Sequence, residues 1–323
     1  MSSLDAHDTG RETASSPTER RERLTQAIAV VNDILLGKEH QVALAFSCLL
    51  ARGHLLIEDL PGVGKTTLSH ALATVLGANY QRIQFTSDLM PADILGVSIY
   101  RRDREDFEFH PGPIFADIVL ADEVNRATPK TQSALLEAMA EGQVTVEGTT
   151  HALPDPFFVI ATQNPVDLVG TFRLPDSQLD RFLLSISLGF PDPEVEKRLL
   201  MSEDRSQLLQ RTQAVLNADM VRALQEDCAR VHVSEPLLAY VQALLAETRS
   251  SRWFETGLSP RAGLALLRCA RARAFLDGRD FVAPEDIKGV FPGLTRHRMT
   301  VSHGLEQSVE DQVHGLLNQV VVP

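Results

Sequence analysis

Residues 59–67 read DLPGVGKTT, and few nine-residue stretches restrict a fold so severely. Gly62 and Gly64 bracket one residue and precede Lys65 and Thr66; a turn of this kind points successive backbone N–H groups inward. Such a nest holds phosphate where a strand delivers the chain and a helix carries it away. Both flanks are present. His54–Ile57 is a short apolar run, and Leu68, Ala71, Leu72, Val75 and Leu76 recur at helical spacing before Gly77, a suitable C-cap. The loop calls for an α/β fold with a parallel sheet. It departs from the full G-x-x-x-x-G-K-[ST] pattern at its first position, Asp59, which lies outside the phosphate-wrapping turn.

The remaining chain supplies that sheet. Short apolar runs without strict alternation, at Arg82–Phe85, Ile118–Ala121, Phe157–Thr162 and Leu183–Leu188, read as buried parallel strands. Helices are expected over Leu24–Val31, over Glu39–Leu50 and from Pro129 through Met139. Gln143–Glu147 and Thr149–Leu153, turned at Gly148, read as a hairpin. Pro191, Asp192 and Pro193 punctuate the chain, and the pattern beyond them is helical. Stripes run through Val221, Leu224, Cys228 and Val231; through Leu237, Val241, Leu244 and Leu245; across Pro260–Leu276; and through Val309, Val313, Leu316 and Leu317. We therefore expect a polar disordered tail over 1–18, a nucleotide-binding α/β domain over 19–190 and a small helical domain over 191–323.

Composition narrows the function. The 323 residues carry 43 acidic and 31 basic side chains, a formal charge of -12, and this field disfavours a polyanionic partner, so nucleic acid is not expected. No apolar run approaches the roughly 20 residues that span a bilayer, and the start of the chain lacks the pattern of a secretory signal. Cys48, Cys228 and Cys269 are widely spaced among apolar residues and read as buried free thiols of a reducing, cytoplasmic compartment.

Several residues suit chemistry on a nucleotide. Pro61, Gly62, Val63, Gly64, Lys65, Thr66 and Thr67 would hold the phosphates of ATP, with Lys65 reaching the β and γ groups and the Thr66 hydroxyl on Mg²⁺. Strand 118–121 runs into Asp122 and Glu123, a carboxylate pair at the sheet's C-terminal edge: Asp122 for Mg²⁺, Glu123 as the base that polarises the attacking water. Asn164, ending the next strand, either positions that water or caps the turn before Pro165. Ser259 and Pro260 begin a helix and leave Arg261 in its first turn, where a cation is disfavoured unless phosphate or an intradomain carboxylate lies near.

Taken together, the motifs EDLPGVGKTTL, RIQFTSDLMPADILG, GPIFADIVLADEVNRATPKTQSALLEAMAEGQVTVEG, ATQNP, GTFRLPDSQLDRF and LSPRA resemble those of AAA+ ATPases, and more narrowly the MoxR family. The resemblance extends from about Asp33 to Arg298 and implies a P-loop AAA+ core with a C-terminal helical lid. It implies that Leu36 and Gly37 line the adenine pocket, that Asn164 and Arg261 occupy the two sensor positions, and that Arg181 is an arginine finger supplied in trans, with Arg126 a further arginine near the subunit boundary. Within one chain, Arg181 has Asp180 and Asp192 as alternative partners.

From the same resemblance follow ATP hydrolysis, a homo-oligomeric ring of six, and remodelling, maturation or activation of a client protein, often beside a partner with a von Willebrand factor A domain. A non-hydrolysing scaffold and a chelatase-like motor subunit for metal insertion are the alternatives. Segment 94–110, rich in charged and aromatic residues, faces a substrate or covers the sheet.

Overall fold

The computed structural model describes residues 16–165, 170–201, 205–251, 253–302 and 308–322. Most of the expected tail lies outside these residues. Its last part is helical, because Ser16 accepts a hydrogen bond from the Glu19 N–H and Pro17 sits at the first turn, a start signal that opens α1 (Pro17–Ile34). Helix α2 (Glu39–Leu50) follows, then β1 (Leu55–Glu58), α3 (Lys65–Val75) and β2 (Tyr80–Gln84). Next come the short α4 (Pro91–Leu95), the strands β3 (Gly96–Arg101) and β4 (Asp106–Pro111), and β5 (Ile118–Asp122).

Helix α5 (Pro129–Glu141) leads to β6 (Gln143–Val146) and β7 (Thr149–Ala152), which pair antiparallel as the hairpin expected around Gly148. Strand β8 (Phe158–Gln163), the single-turn α6 (Asp176–Leu179) and β9 (Leu184–Ile186) complete the sheet region. Seven helices come after it among the described residues: α7 (Pro193–Met201), α8 (Arg205–Arg211), α9 (Ala218–Ala229), α10 (Glu235–Ser250), α11 (Pro260–Leu276), α12 (Pro284–Thr295) and α13 (Val309–Gln319).

Five strands form one parallel sheet in the order β2-β5-β8-β1-β9. Alternation within the strands feeds two cores. Leu55, Ile57, Ile118, Leu120, Phe158 and Ile160 face α1–α3 in a core continuous with that of the C-terminal helices. Leu56, Val119, Ala121, Val159 and Ala161 face α5 on the other side. The strands read as apolar runs because both faces are covered. Helix α11 packs on α2 and α12, and α12 lies against the edge strand β9. This arrangement packs the C-terminal helices against α2 and the β9 edge of the sheet.

Three differences from the sequence reading have local causes. Helix α12 carries no clean stripe because Gly289, Pro292 and Gly293 interrupt it, yet Ile287, Val290, Phe291 and Leu294 are buried. Strand β2 spans Tyr80 to Gln84 rather than the expected Arg82–Phe85; most of its side chains are exposed at the sheet edge, so an apolar search misplaces its ends. Segment 94–110 is largely an antiparallel hairpin, β3 with β4, in which Tyr100 lies opposite Phe107. All three cysteines are buried and free, and burial pushes the Cys228 and Cys269 thiols up to about 12. No helix among the described residues is long and apolar enough to cross a membrane.

Candidate active site

The loop after β1 folds as its glycines require. Gly62 has φ 83° and Gly64 φ 103°, both in the region that side chains disfavour, and Gly64 caps α3. A Cβ added at Gly64 would stand 3.1 Å from the Leu35 side chain, so the segment before α2 closes one side of the loop. Lys65 Nζ donates to the carbonyl oxygens of Asp59 (2.8 Å) and Leu60 (2.9 Å). The ammonium is thus held on the two carbonyls that lead into the turn.

Asp122 ends a fully buried strand. Its Oδ1 accepts from Thr162 Oγ1 at 2.6 Å, while Oδ2 accepts from Arg82 Nη2 at 2.6 Å and Nε at 3.2 Å. Glu123 follows in the left-handed region at φ 57° and ψ 48°. A non-glycine residue there is strained, and the Glu123 N–H donating to Thr162 Oγ1 (2.9 Å) helps to hold it. The turn aims the Glu123 carboxylate outward, where Oε2 accepts from Gln84 Nε2 at 2.8 Å and pairs with Arg126 Nε at 3.0 Å. Thr162, on the neighbouring strand, fixes both acidic residues at once.

One open cleft of about 480 Å³ gathers these groups. Pro61, Gly62, Gly64, Lys65, Thr66 and Thr67 form one wall, and Asp122, Glu123, Thr162 and Asn164 form the other. Arg82 and Gln84 also line it, although sequence reasoning missed them. Their signal was available: two polar residues at alternate positions of a strand that ends beside Asp122.

Other expected residues lie elsewhere. Val63 packs toward the apolar core, and Gly37 sits against Val195 of α7. Leu36 and Gly37 do not line the phosphate cleft. The Arg261 side chain is 65% exposed, with Nε 4.0 Å from Asp180 Oδ2. Arg181 Nη1 donates to Leu136 O at 2.5 Å, whereas Asp180 is engaged by Arg298 Nε at 2.7 Å. The intrachain alternative pairing Arg181 with Asp180 is therefore corrected: the buried Arg298 occupies that carboxylate.

The donor set suits a Mg²⁺ nucleotide. Hydroxyl Thr66 and carboxylate Asp122 flank the cleft, and the Arg82 guanidinium on Asp122 shows that positive charge is accommodated at that oxygen.

A parallel sheet with a phosphate loop after its β1 strand, an acidic pair at the end of β5 and a C-terminal helical lid define an AAA+ protein. Residues 54–184 match the profile of the ATPase family associated with various cellular activities (AAA), and residues 246–315 match the AAA lid domain. The chain is 40% identical over 312 residues to the chaperone MoxR1 of Mycobacterium tuberculosis, covering 93% of this chain and 82% of that protein. It is 45% identical over 276 residues to YeaC of Bacillus subtilis, covering 85% and 86%. A solved structure from Cytophaga hutchinsonii superimposes with a TM-score of 0.86 at 34% identity over 95% of this chain and 96% of that one. The chain belongs to the MoxR family of AAA+ ATPases.

Proposed function

We propose that the chain hydrolyses ATP to ADP and phosphate and uses the cycle to remodel, mature or activate a client protein. One observation carries this reading: Lys65, Thr66, Asp122, Glu123 and Asn164 line a single cleft although they come from three separate stretches of chain. Lys65 leaves the Asp59 and Leu60 carbonyls for the β and γ phosphates, with the N–H groups of the loop around them. Thr66 and Asp122 hold Mg²⁺, which when bound neutralises charge on the phosphate oxygens. Glu123 takes a proton from the attacking water, and Asn164 orients that water.

Glu123 is engaged by Gln84 and Arg126. Turnover therefore requires that at least one of these contacts be released. Arg181 lies outside its own chain's cleft, which supports its use as a finger on a neighbouring subunit in a homo-oligomeric ring, six being the expected number; Arg126 is the second candidate. Leu36 and Gly37, between Leu35 and α7, are proposed to receive the adenine, and Arg261 to reach the phosphates when the lid closes. A cytoplasmic location and a partner with a von Willebrand factor A domain complete the proposal.

The test measures phosphate release across protein concentration, with oligomer mass recorded in ATP. Glu123→Gln is expected to lower kcat about 100-fold while ATP affinity stays within about 3-fold. Arg181→Ala should abolish the rise of specific activity with concentration. Unchanged turnover in Glu123→Gln rejects the base, and negligible turnover in the assembled wild type favours the scaffold reading. A client recovered on the ATP-trapped Glu123→Gln protein separates a remodelling role from a chelatase-like one.

A further inference from the structure

Asp59, the residue that departs from the usual phosphate-loop pattern, makes contacts the catalytic reading does not use. Its N–H donates to Gln163 O at 3.2 Å, so the sheet still holds its backbone one residue beyond β1. The residue is 6% exposed, and its carboxylate is fully engaged. Oδ1 accepts from the Leu60 N–H at 2.9 Å. Oδ2 accepts from Ser187 Oγ at 3.0 Å, the Leu188 N–H at 2.6 Å and the Gly189 N–H at 2.7 Å. Burial alone pushes this carboxyl upward, but the bonds from Gly189, Leu60, Ser187 and Leu188 outweigh it and hold the group below the usual carboxylate value.

Those three donors stand where the chain leaves β9 for α7. Gly189 has φ 62°, Phe190 O accepts from Lys38 Nζ at 3.0 Å, and Pro193 opens α7. The Asp59 carbonyl meanwhile accepts Lys65 Nζ, as does the Leu60 carbonyl. One residue thus touches the phosphate-binding lysine with its carbonyl and the root of the lid with its carboxylate. The Asp59–Leu60 peptide links the two, because its N–H binds Oδ1 and its C=O faces Lys65.

We propose that Asp59 is a positioning residue that couples occupation of the phosphate loop to the seating of the lid. Phosphate draws Lys65 off the Asp59 and Leu60 carbonyls; the freed peptide turns, the Leu60 N–H bond to Oδ1 changes, and the carboxylate shifts its hold on Leu188 and Gly189. An uncharged side chain breaks this link without removing any phosphate ligand. A glycine there matches the general loop pattern, so the cradle itself tolerates the loss. The proposal rests on the loop being the nucleotide site.

The full-length chain is tested as wild type, Asp59→Asn, Asp59→Gly, Ser187→Ala and Lys65→Ala, with ATP as ligand. Titration gives affinity, phosphate release gives kcat and KM, and hydrogen exchange follows residues 187–201 with and without ATP. Both Asp59 variants are expected to bind ATP within about 3-fold of wild type, to exchange the Leu188 and Gly189 amides about 10-fold faster, and to lose most of the ATP-dependent change over α7. Their kcat should fall about 10-fold with KM nearly constant. Ser187→Ala, which leaves the loop intact, should move all readouts the same way by a smaller factor, and it carries the test if the Asp59 variants do not fold.

A purely structural Asp59 lowers stability and leaves the ATP-dependent exchange difference at its wild-type size; that result overturns the proposal. Wild type that binds ATP no better than Lys65→Ala overturns the nucleotide reading and this proposal with it. Normal wild-type binding with wild-type coupling in the Asp59 and Ser187 variants removes only the proposal.

Discussion

His54 shows how one side chain sets an acid limit on the fold. It is 9% exposed and sits where α2 turns into β1. Its Nδ1 accepts from the Val159 N–H at 3.1 Å, so Nε2 carries the proton and donates to Met139 O at 3.1 Å. The neutral ring is fully satisfied and ties β8 to α5. Burial lowers its pKa from 6.5 to about 4, against the smaller upward pull of the Met139 bond. Between those values the unfolded chain binds the proton and the folded chain does not. Its contribution is therefore complete above 6.5 and is lost as pH falls toward 4, about 3 kcal/mol in all. Denaturant titrations of wild type and His54→Gln across that window should show the steeper loss in wild type. Equal slopes would remove His54 from the account. At the same scale Asp122 and Glu123 were legible, because two carboxylates after an apolar run can only lie at a sheet edge. Arg82 and Gln84 showed only as alternate polar residues of one strand, and their roles, like that of Thr162, depend on a neighbour 40, 39 or 40 residues away.

Among the elements, the β3–β4 hairpin is the clearest case of close packing deciding a sequence choice. Gly96 and Gly112 stand at its base, and a Cβ on Gly112 would come within 2.2 Å of Ile94 O and 2.6 Å of Gly96 N. Backbone cannot yield as a side chain can. Gly112→Ala is expected to destabilise the hairpin by about 1–3 kcal/mol while leaving the phosphate cleft intact. Hydrogen exchange should show faster exchange across 96–111 with ATP affinity unchanged; a loss confined to the cleft would contradict this. The hairpin leaves Tyr100 and Phe107 49% and 65% exposed, which made the segment hard to assign: its aromatic residues neither alternate in and out of a core nor follow a helical period. The β6–β7 hairpin was readable because Gly148, at φ 83°, marks its turn.

Across the whole molecule, one buried arginine binds lid to core. Arg298, just beyond α12, donates to Asp180 Oδ1 at 2.7 Å, Phe182 O at 2.7 Å, Leu183 O at 3.1 Å and Leu294 O at 2.8 Å, and its side chain is 6% exposed. Removing it strands the Asp180 carboxylate and the carbonyls that lead into β9. Arg298→Ala should cost about 3–5 kcal/mol, read as a lower denaturation midpoint. Arg261→Ala, at an exposed side chain with a 4.0 Å approach to the same carboxylate, should leave that midpoint nearly unchanged.

The sequence by itself determined the phosphate loop, the acidic pair, the parallel sheet and the helical end, because each rests on residues close together in the chain: glycine conformation, strand polarity and helical period. Tertiary structure alone decided the use of shared acceptors. Asp180 serves Arg298, Asp122 holds Arg82, Glu123 is engaged by Gln84 and Arg126, and Asp59 grips the root of the lid. Local pattern fixes which charges and hydrogen-bonding groups exist. Only folding brings together groups 128–130 residues apart, such as Asp59 and the chain at 187–189.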